Sequence, residues 1–268
     1  MSNTISVMSY NFRINNSGDG KYSLYPDRKE YALDFHEKNG TDIICFQEIQ
    51  PDTRQILCER LSPKYAVVGL GRGADFREEA CCIAYRLDKF ELFSCDTFWL
   101  SPTPGKPNST PVGIKMPRIC TTATLVLRIP NEFPVPIRVY NTHLFRSKDE
   151  RLRTYGAYLV LDRIRRDKDL ADYPVILAGD FNSAPDSIAI EAVKSYPTLS
   201  LVDATAPLDY TYHEYEREDL APEKKVRIDY IFTDAKIVES SPQKITARRE
   251  SDGMFLSDHY PVKVEIEV

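Results

Sequence analysis

The sequence predicts a mixed α and β protein in which two β-sheets pack face to face with helices flanking them. Three observations carry that prediction: short strand-like segments recur along the chain, a few amphipathic helical segments are interposed, and polar residues gather where the strands end. Buried strands and amphipathic helices need one another's apolar faces, and layered packing supplies them. The stretch that organises the rest is Pro174–Asn182, PVILAGDFN, whose apolar run Val175, Ile176, Leu177, Ala178 suits a strand covered on both faces. Gly179 removes a Cβ where the backbone must come close to something. Asp180 and Asn182 follow at a spacing that lets both face one point, a metal-bound water or a phosphate.

Taken in order, Thr4–Asn11 (TISVMSYN) alternates apolar and polar positions and reads as a strand ending at Asn11. Pro26–Lys38 reads as a helix stopped by Asn39-Gly40. Asp42–Gln47 is the next buried strand and delivers Glu48 to its end. A helix over about 52–61 follows, then strands near 65–68, 80–85 and 91–99. Residues 101–117 are rich in Pro, Gly, Ser and Thr without periodicity and read as a long loop over one edge. Strands resume at 118–128 and 137–141, with His143 just past the second. Ser147–Glu150 matches a capping box, after which Leu152, Tyr155, Leu159 and Ile164 recur at helical spacing to about Asp167. The cations on that helix, Arg163, Arg165, Arg166 and Lys168, read as a solvated face. Ser183–Asp186 opens another short helix, and Val226–Phe232 and Val262–Val268 are the closing strands, the last entered through SDHYP at 257–261.

With 268 residues and no linker-like segment, the chain reads as one domain spanning 1–268. The 35 basic and 40 acidic side chains leave a net charge of −5, a poor default for binding nucleic acid, whose affinity is dominated by Lys and Arg on phosphate. Six cysteines show no CxxC spacing, and the amino terminus carries no basic region followed by an apolar stretch, so free thiols in a cytoplasmic protein are expected. No run of 18 apolar residues spans a membrane.

Six segments bring the residues with chemistry together: SYN at Ser9–Asn11, QE at Gln47–Glu48, NTHL at Asn141–Leu144, GDFN at Gly179–Asn182, RIDYIF at Arg227–Phe232 and SDHYPV at Ser257–Val262. Their order and spacing resemble the endonuclease/exonuclease/phosphatase superfamily over almost the whole chain. The resemblance implies an α+β fold, a four-layer αββα sandwich of two mostly antiparallel sheets flanked by helices, and cleavage of phosphoesters that depends on Mg2+ or Mn2+. It makes Glu48 the main metal ligand with Asn11 and Asp258 beside it, in keeping with the preference of Mg2+ for hard oxygen ligands. Asp180 would orient or deprotonate the attacking water, and Asn182 would hold that water or a phosphate oxygen. Asp229 would fix the ring of His259, which meets the phosphate as a donor. His143 would bind the scissile phosphate and protonate the leaving oxygen, with Glu79 orienting it.

Arg118, before a strand, is a candidate for neutralising phosphate charge, with a plain edge-strand arginine as the alternative. The aromatic stretch 210–215, including His213, is a candidate wall of the substrate site, or simply loop packing. After NTHL this chain has Phe145-Arg146 where close relatives commonly have Asp-His, which leaves the pocket rim open. The expected function is hydrolysis of a phosphodiester or phosphomonoester by in-line attack of an activated water, on a compact phosphate-containing substrate and as a monomer. A nuclease acting on DNA or RNA is the enzymatic alternative, and a non-catalytic phosphate-binding module is the alternative of another class. Carboxylates near the rim, Glu214, Glu216, Glu218 and Asp219, weigh against an extended polyanion.

Overall fold

Strand β1 (Thr4–Asn11) lies inside a seven-stranded sheet, flanked on one side by β13 (Val262–Glu267), antiparallel, and on the other by β2 (Ile43–Ile49), parallel. The sheet continues through β4 (Ala80–Arg86) to β3 (Tyr65–Val68) on one edge, and β13 carries β11 (Lys236–Ile237) and β12 (Gln243–Lys244) on the other. A second sheet runs in the order β5 (Phe90–Trp99), β6 (Ile119–Leu127), β7 (Val135–His143), β8 (Val175–Asp180), β10 (Asp229–Thr233), β9 (Val202–Asp203). All its pairings are antiparallel except β7 with β8. The computed structural model describes residues 3–22, 27–216 and 221–268. Pro26, Glu218 and Asp219 of the sequence expectations lie outside them.

Alternation along the strands makes the layers. Ile5, Val7, Ile43, Cys45 and Ile83 of the first sheet face Leu125, Val139, Ile176, Ala178 and Ile231 of the second across the central core. The opposite face of the first sheet, with Met8, Tyr10, Ile44 and Phe46, is covered by α1 (Lys29–Asn39) and α2 (Pro51–Leu61) through Ala32, Leu33, Leu57 and Leu61. The outer face of the second sheet, with Tyr140, Val175, Leu177 and Phe232, is covered by α3 (Glu150–Leu170) and α4 (Ile188–Lys194) through Val160, Leu161, Ile164, Ile190 and Val193. These are the four layers of an αββα sandwich, and both sheets are mostly antiparallel.

Local chemistry adjusts the expected boundaries. The cap of α3 is Asp149, whose side chain accepts from Arg151 N–H, while Ser147 Oγ accepts from Asp149 N–H one step earlier. Helix α4 starts only at Ile188, capped by Ser187. Strand β2 runs past Glu48 to Ile49, with an irregularity in its pairing to β4 between Phe46 and Ile49. Helix α3 keeps its cations in ion pairs: Arg163 with Asp96 and Asp167, Arg165 with Asp162 and Asp169, Arg166 with Asp162, and Lys168 with Asp172 and Asp234. Among the described residues, no helix is long and apolar enough to cross a membrane.

Candidate active site

The chemistry-bearing residues collect at one end of the sandwich, where β1, β2, β7 and β8 finish and β10 begins. In the second sheet the pairing register sets His143 of β7 beside Asp180 of β8, and Asp180 beside Asp229 of β10, one row across three strands. Gly179, one residue earlier, pairs with Thr142, and a Cβ there would lie 2.0 Å from the Thr142 carbonyl oxygen. The neighbour that the missing Cβ makes room for is therefore the adjoining strand.

The first sheet contributes Asn11, Glu48 and, from the turn before β13, Asp258 and His259. Glu48 stands at the β2 irregularity with φ of 60°, which turns its side chain toward the site. Its Oε2 accepts from Ile14 N–H at 2.9 Å and its Oε1 from Asn11 Nδ2 at 3.1 Å. Beneath this irregularity Asn141 of β7 donates from Nδ2 to the Phe46 and Cys82 carbonyls, both at 2.8 Å, and accepts from Gln47 Nε2 at 2.8 Å. This fully buried amide ties the two sheets together directly under the site.

The two histidines occupy different electrostatic settings. His259 Nδ1 lies 2.9 Å from Asp229 Oδ2, and its Nε2 lies 3.9 Å from Asp180 Oδ2. Burial alone would push this imidazole down, but Asp229, then Asp180 and Asp258, hold it up at about 10, so it is an imidazolium at neutral pH. His143 Nε2 lies 3.3 Å from Asp180 Oδ2, yet burial and then the Arg118 guanidinium push its ring well below the usual range, so it is neutral. Asp180 also accepts from Asn11 Nδ2 at 3.0 Å and from Asn182 N–H at 2.8 Å. Burial lifts its carboxyl to about 7, partly offset by His259. Asn182, at φ of 48°, donates from Nδ2 to the Leu144 carbonyl at 3.1 Å. Burial likewise raises Asp258, whereas Glu48 is held below the usual carboxylate range: burial alone would raise it, but the bond from Ile14 and the Arg13 guanidinium prevail.

These groups open into a cavity of roughly 740 Å3 whose wall includes Glu48, Arg118, His143, Asp180, Asn182, Asp258 and His259. Three sequence candidates sit differently from expectation. Asn11 is fully buried, donates from its amide nitrogen to Glu48 and Asp180 and accepts at its oxygen from Arg13 N–H, so it holds two carboxylates in place and keeps only one further acceptor site on that oxygen. Glu79 makes no hydrogen bond to His143; it is gripped by Arg72 through two bonds of 2.7 and 3.0 Å. His213 stacks on Tyr260 with ring centroids 3.8 Å apart and is sealed behind the wall, burial lowering its ring to about 3. Alternation turns its neighbours Tyr212 and Glu214 to the cavity instead. Of the open Phe145-Arg146 pair, Phe145 is buried against α3 while Arg146 lines the cavity.

Sequence reasoning also passed over Arg13, which binds Asp19 through two bonds of 2.9 Å and approaches Asp258 Oδ2 at 3.3 Å. Its place two residues after Asn11 was the available signal. Arg72 carried no signal, since its partner is seven residues away in a turn.

The donor set suits a hard cation: half-buried Glu48 and buried Asp258 are carboxylates beside Asp180, and the excess of negative charge calls for compensation. Asp180, Asp229 and His259 present ligand-type atoms within 4.8 Å of one another. There the imidazole is already committed to Asp229, and the oxygens of Glu48 and Asp258 are residues that could hold a cation instead.

Comparison with known proteins bears on the chain as a whole. The model of the endonuclease/exonuclease/phosphatase family matches residues 12–259. An endonuclease/exonuclease/phosphatase structure from Bacteroides vulgatus superposes with a TM-score of 0.85 at 25% identity, covering 99% of both chains. A mannosyl-6-phosphatase from Bacteroides thetaiotaomicron gives a TM-score of 0.79 at 26% identity, covering 97% of this chain and 98% of that one. Human protein angel homolog 1 is 26% identical over 195 residues, 68% of this chain. The chain spans about a quarter to two fifths of the length of the curated relatives it matches. A match extending from the end of β1 to His259 establishes that the chain belongs to the endonuclease/exonuclease/phosphatase family.

Proposed function

We propose that this chain is a hydrolase of phosphoesters, dependent on Mg2+ or Mn2+, that acts on a compact phosphate-containing substrate. The observation that carries the reading is the row His143, Asp180, Asp229 with His259 across it, in which His143, Asp180 and His259 are held at contrasting protonation states within one buried site. Asp180, lifted toward neutrality, accepts the proton of the attacking water. The His259 imidazolium, fixed by Asp229, donates to a phosphoryl oxygen, and the Asn182 side chain directs the water or a second oxygen. His143, neutral and with its Nε2 3.3 Å from Asp180 Oδ2, is placed to hydrogen-bond the leaving oxygen, which takes up the proton that Asp180 drew from the water, directly or through solvent. Glu48 and Asp258 would hold the cation, whose contribution is to stabilise charge developing on the phosphoryl and leaving oxygens.

A compact substrate is favoured over nucleic acid because the densest basic cluster, on α3, is neutralised by its own aspartates, and the cavity rim carries Glu214 and Glu223 as well as Arg146 and Lys224. The solved mannosyl-6-phosphatase of this family, similar over the whole chain, is consistent with a small phosphorylated substrate. The deciding experiment is hydrolysis of phosphomonoesters, phosphodiesters, plasmid DNA and single-stranded RNA with Mg2+, Mn2+ and a chelator across a salt series. Chelator-sensitive turnover of small esters is expected. Efficient, salt-sensitive cutting of a polymer alone would transfer the reading to a nuclease.

A further inference from the structure

At the floor of the cavity two arginines share one carboxylate, and they share it unequally. Arg72 takes both oxygens of Glu79, at 2.7 and 3.0 Å, and also reaches Glu78 at 3.3 Å. Its backbone carbonyl is held in turn by Trp99 Nε1 at 2.7 Å, so the guanidinium starts from an anchored segment. Arg118 is left with Glu79 Oε2 at 3.9 Å, too long for a hydrogen bond, as its sole carboxylate within 4.0 Å among the described residues. Arg118 is nonetheless only 7% exposed, and it lines both the main cavity and a satellite void of roughly 10 Å3 shared with Glu48, Glu79 and His143.

A guanidinium with five donors that makes no hydrogen bond to the protein and opens onto the cavity is placed to receive an anion. Its position beside His143 puts that anion at the phosphoryl group already assigned to the site. Of the other donors there, His259 is matched to a non-bridging oxygen, Asn182 to the water or a second oxygen, and His143 to the leaving oxygen. A guanidinium suits one further charged oxygen, and its planar fork binds phosphate through paired bonds. A phosphodiester carries one negative charge on two non-bridging oxygens. A phosphomonoester carries nearly two at neutral pH, its second pKa being about 6, and has three such oxygens.

Resting on the phosphoesterase reading above, we infer that the substrate is a phosphomonoester dianion, selected over diesters by Arg118, and that Arg72 is a positioning residue that keeps Glu79 from neutralising it. No change in the hydrolytic step is involved: water adds to phosphorus and gives its proton to Asp180, the bond to the leaving oxygen breaks, and that oxygen takes up a proton from Asp180 or solvent.

The test compares p-nitrophenyl phosphate with bis(p-nitrophenyl) phosphate, which share a leaving group and differ in charge, in parallel with calorimetric binding of inorganic phosphate and dimethyl phosphate at pH 8. Wild type should favour the monoester in kcat/KM and bind phosphate over dimethyl phosphate. Arg118→Gln should lower the monoester value by about 30- to 100-fold, the worth of a hydrogen bond to a charged group, and the diester value by no more than a few fold. Arg72→Gln should act in the same direction by freeing Glu79 to pair with Arg118. Adding Glu79→Gln to Arg72→Gln should restore most of the monoester preference, a recovery that a merely structural role for Arg72 would not produce. Equal losses on both esters in Arg118→Gln, a wild-type preference for the diester, or no rescue in the double variant would overturn the inference while leaving a phosphoesterase. Absence of turnover of either ester with Mg2+ or Mn2+ would instead sink the phosphoesterase reading, and the phosphate and dimethyl phosphate titrations would still decide whether Arg118 selects the dianion.

Discussion

Replacing Gly179 by Ala tests how closely the site depends on the contact between β7 and β8. The added Cβ would meet Thr142 O at 2.0 Å, Thr142 C at 2.9 Å and Thr142 N at 3.1 Å, all backbone atoms that cannot swing away. Bringing the first contact to an ordinary separation of about 3.5 Å requires a displacement of about 1.5 Å, a large fraction of a strand spacing of about 4.8 Å. The φ of 152° adds strain, because this region is entered almost only by glycine. Overpacking costs about 1–3 kcal/mol and the backbone strain a similar amount, so a loss of about 2–6 kcal/mol is expected. At about 2–4 °C per kcal/mol for a chain of this size, Tm should fall by about 4–24 °C. The displaced pair is followed directly by His143 and Asp180, and a misplacement of about 1 Å at reacting groups costs about 100-fold in rate. Circular dichroism melting and kcat on p-nitrophenyl phosphate give the two readouts, with Gly105→Ala as control, since nothing lies within 4 Å of a Cβ there. A Gly179→Ala protein with wild-type Tm and kcat would refute the packing account of this glycine.

Glu48→Gln should weaken binding of Mn2+, followed by electron paramagnetic resonance, together with activity, while leaving the melting curve intact; Asp258→Asn should do the same more mildly, and unchanged Mn2+ affinity in both would remove the cation assignment. Asp180→Asn and His259→Ala should each lower kcat by about two to four orders of magnitude, and the double variant should be little worse than either single one, because both act on one transition state. Strictly additive small losses would argue against a shared site. His36, fully buried between Tyr10, Phe35 and Phe46 with no hydrogen bond to either ring nitrogen, is held down at about 3 by burial. The unfolded chain binds this proton near pH 6.5 and the folded one does not, so stability is full above 6.5 and falls as pH drops toward 3, by about 1.4 kcal/mol per pH unit from this residue. Denaturant titrations of wild type and His36→Phe between pH 6.5 and 5 should show a shallower slope in the variant, and identical slopes would contradict the buried neutral assignment.

How much of this site was legible before the structure depended on the range of the interaction. The PVILAGDFN strand, the DIICFQE strand and their terminal Asp180 and Glu48 were readable because hydrophobic runs and polar strand ends are local patterns. The layered fold followed from the same alternation, since each face had to be buried. Register was not readable, and with it went the row that places His143, Asp180 and Asp229 side by side. Asn141 illustrates the limit: its role is to satisfy carbonyls 95 and 59 residues away, which no local spacing announces. His213 was misplaced by a single step of alternation, because in a loop dense with aromatics composition does not say which ring faces inward. Glu79 was placed at the site, but its partner was assigned from the chemistry of His143 before Arg72 was known to stand between Glu79 and any other task.

The backbone itself marks the same place. Arg13, Glu48 and Asn182 all line the cavity and all adopt positive φ, at 63°, 60° and 48°. Such conformations cost about 1–3 kcal/mol each for residues other than glycine, somewhat less for asparagine, and persist only where surrounding bonds over-determine them. Those bonds are present: Arg13 N–H goes to Asn11 Oδ1, the Glu48 carboxylate takes Ile14 N–H, and Asn182 N–H goes to Asp180 Oδ1. In each case a side chain of the site replaces a partner that a regular strand would have supplied, so the side chains proposed for the site also hold the irregular backbone around it. Substituting one of them should therefore disturb geometry as well as charge. This is why isosteric changes such as Glu48→Gln, which preserve at least the acceptor, separate the two effects where truncation to alanine would confound them.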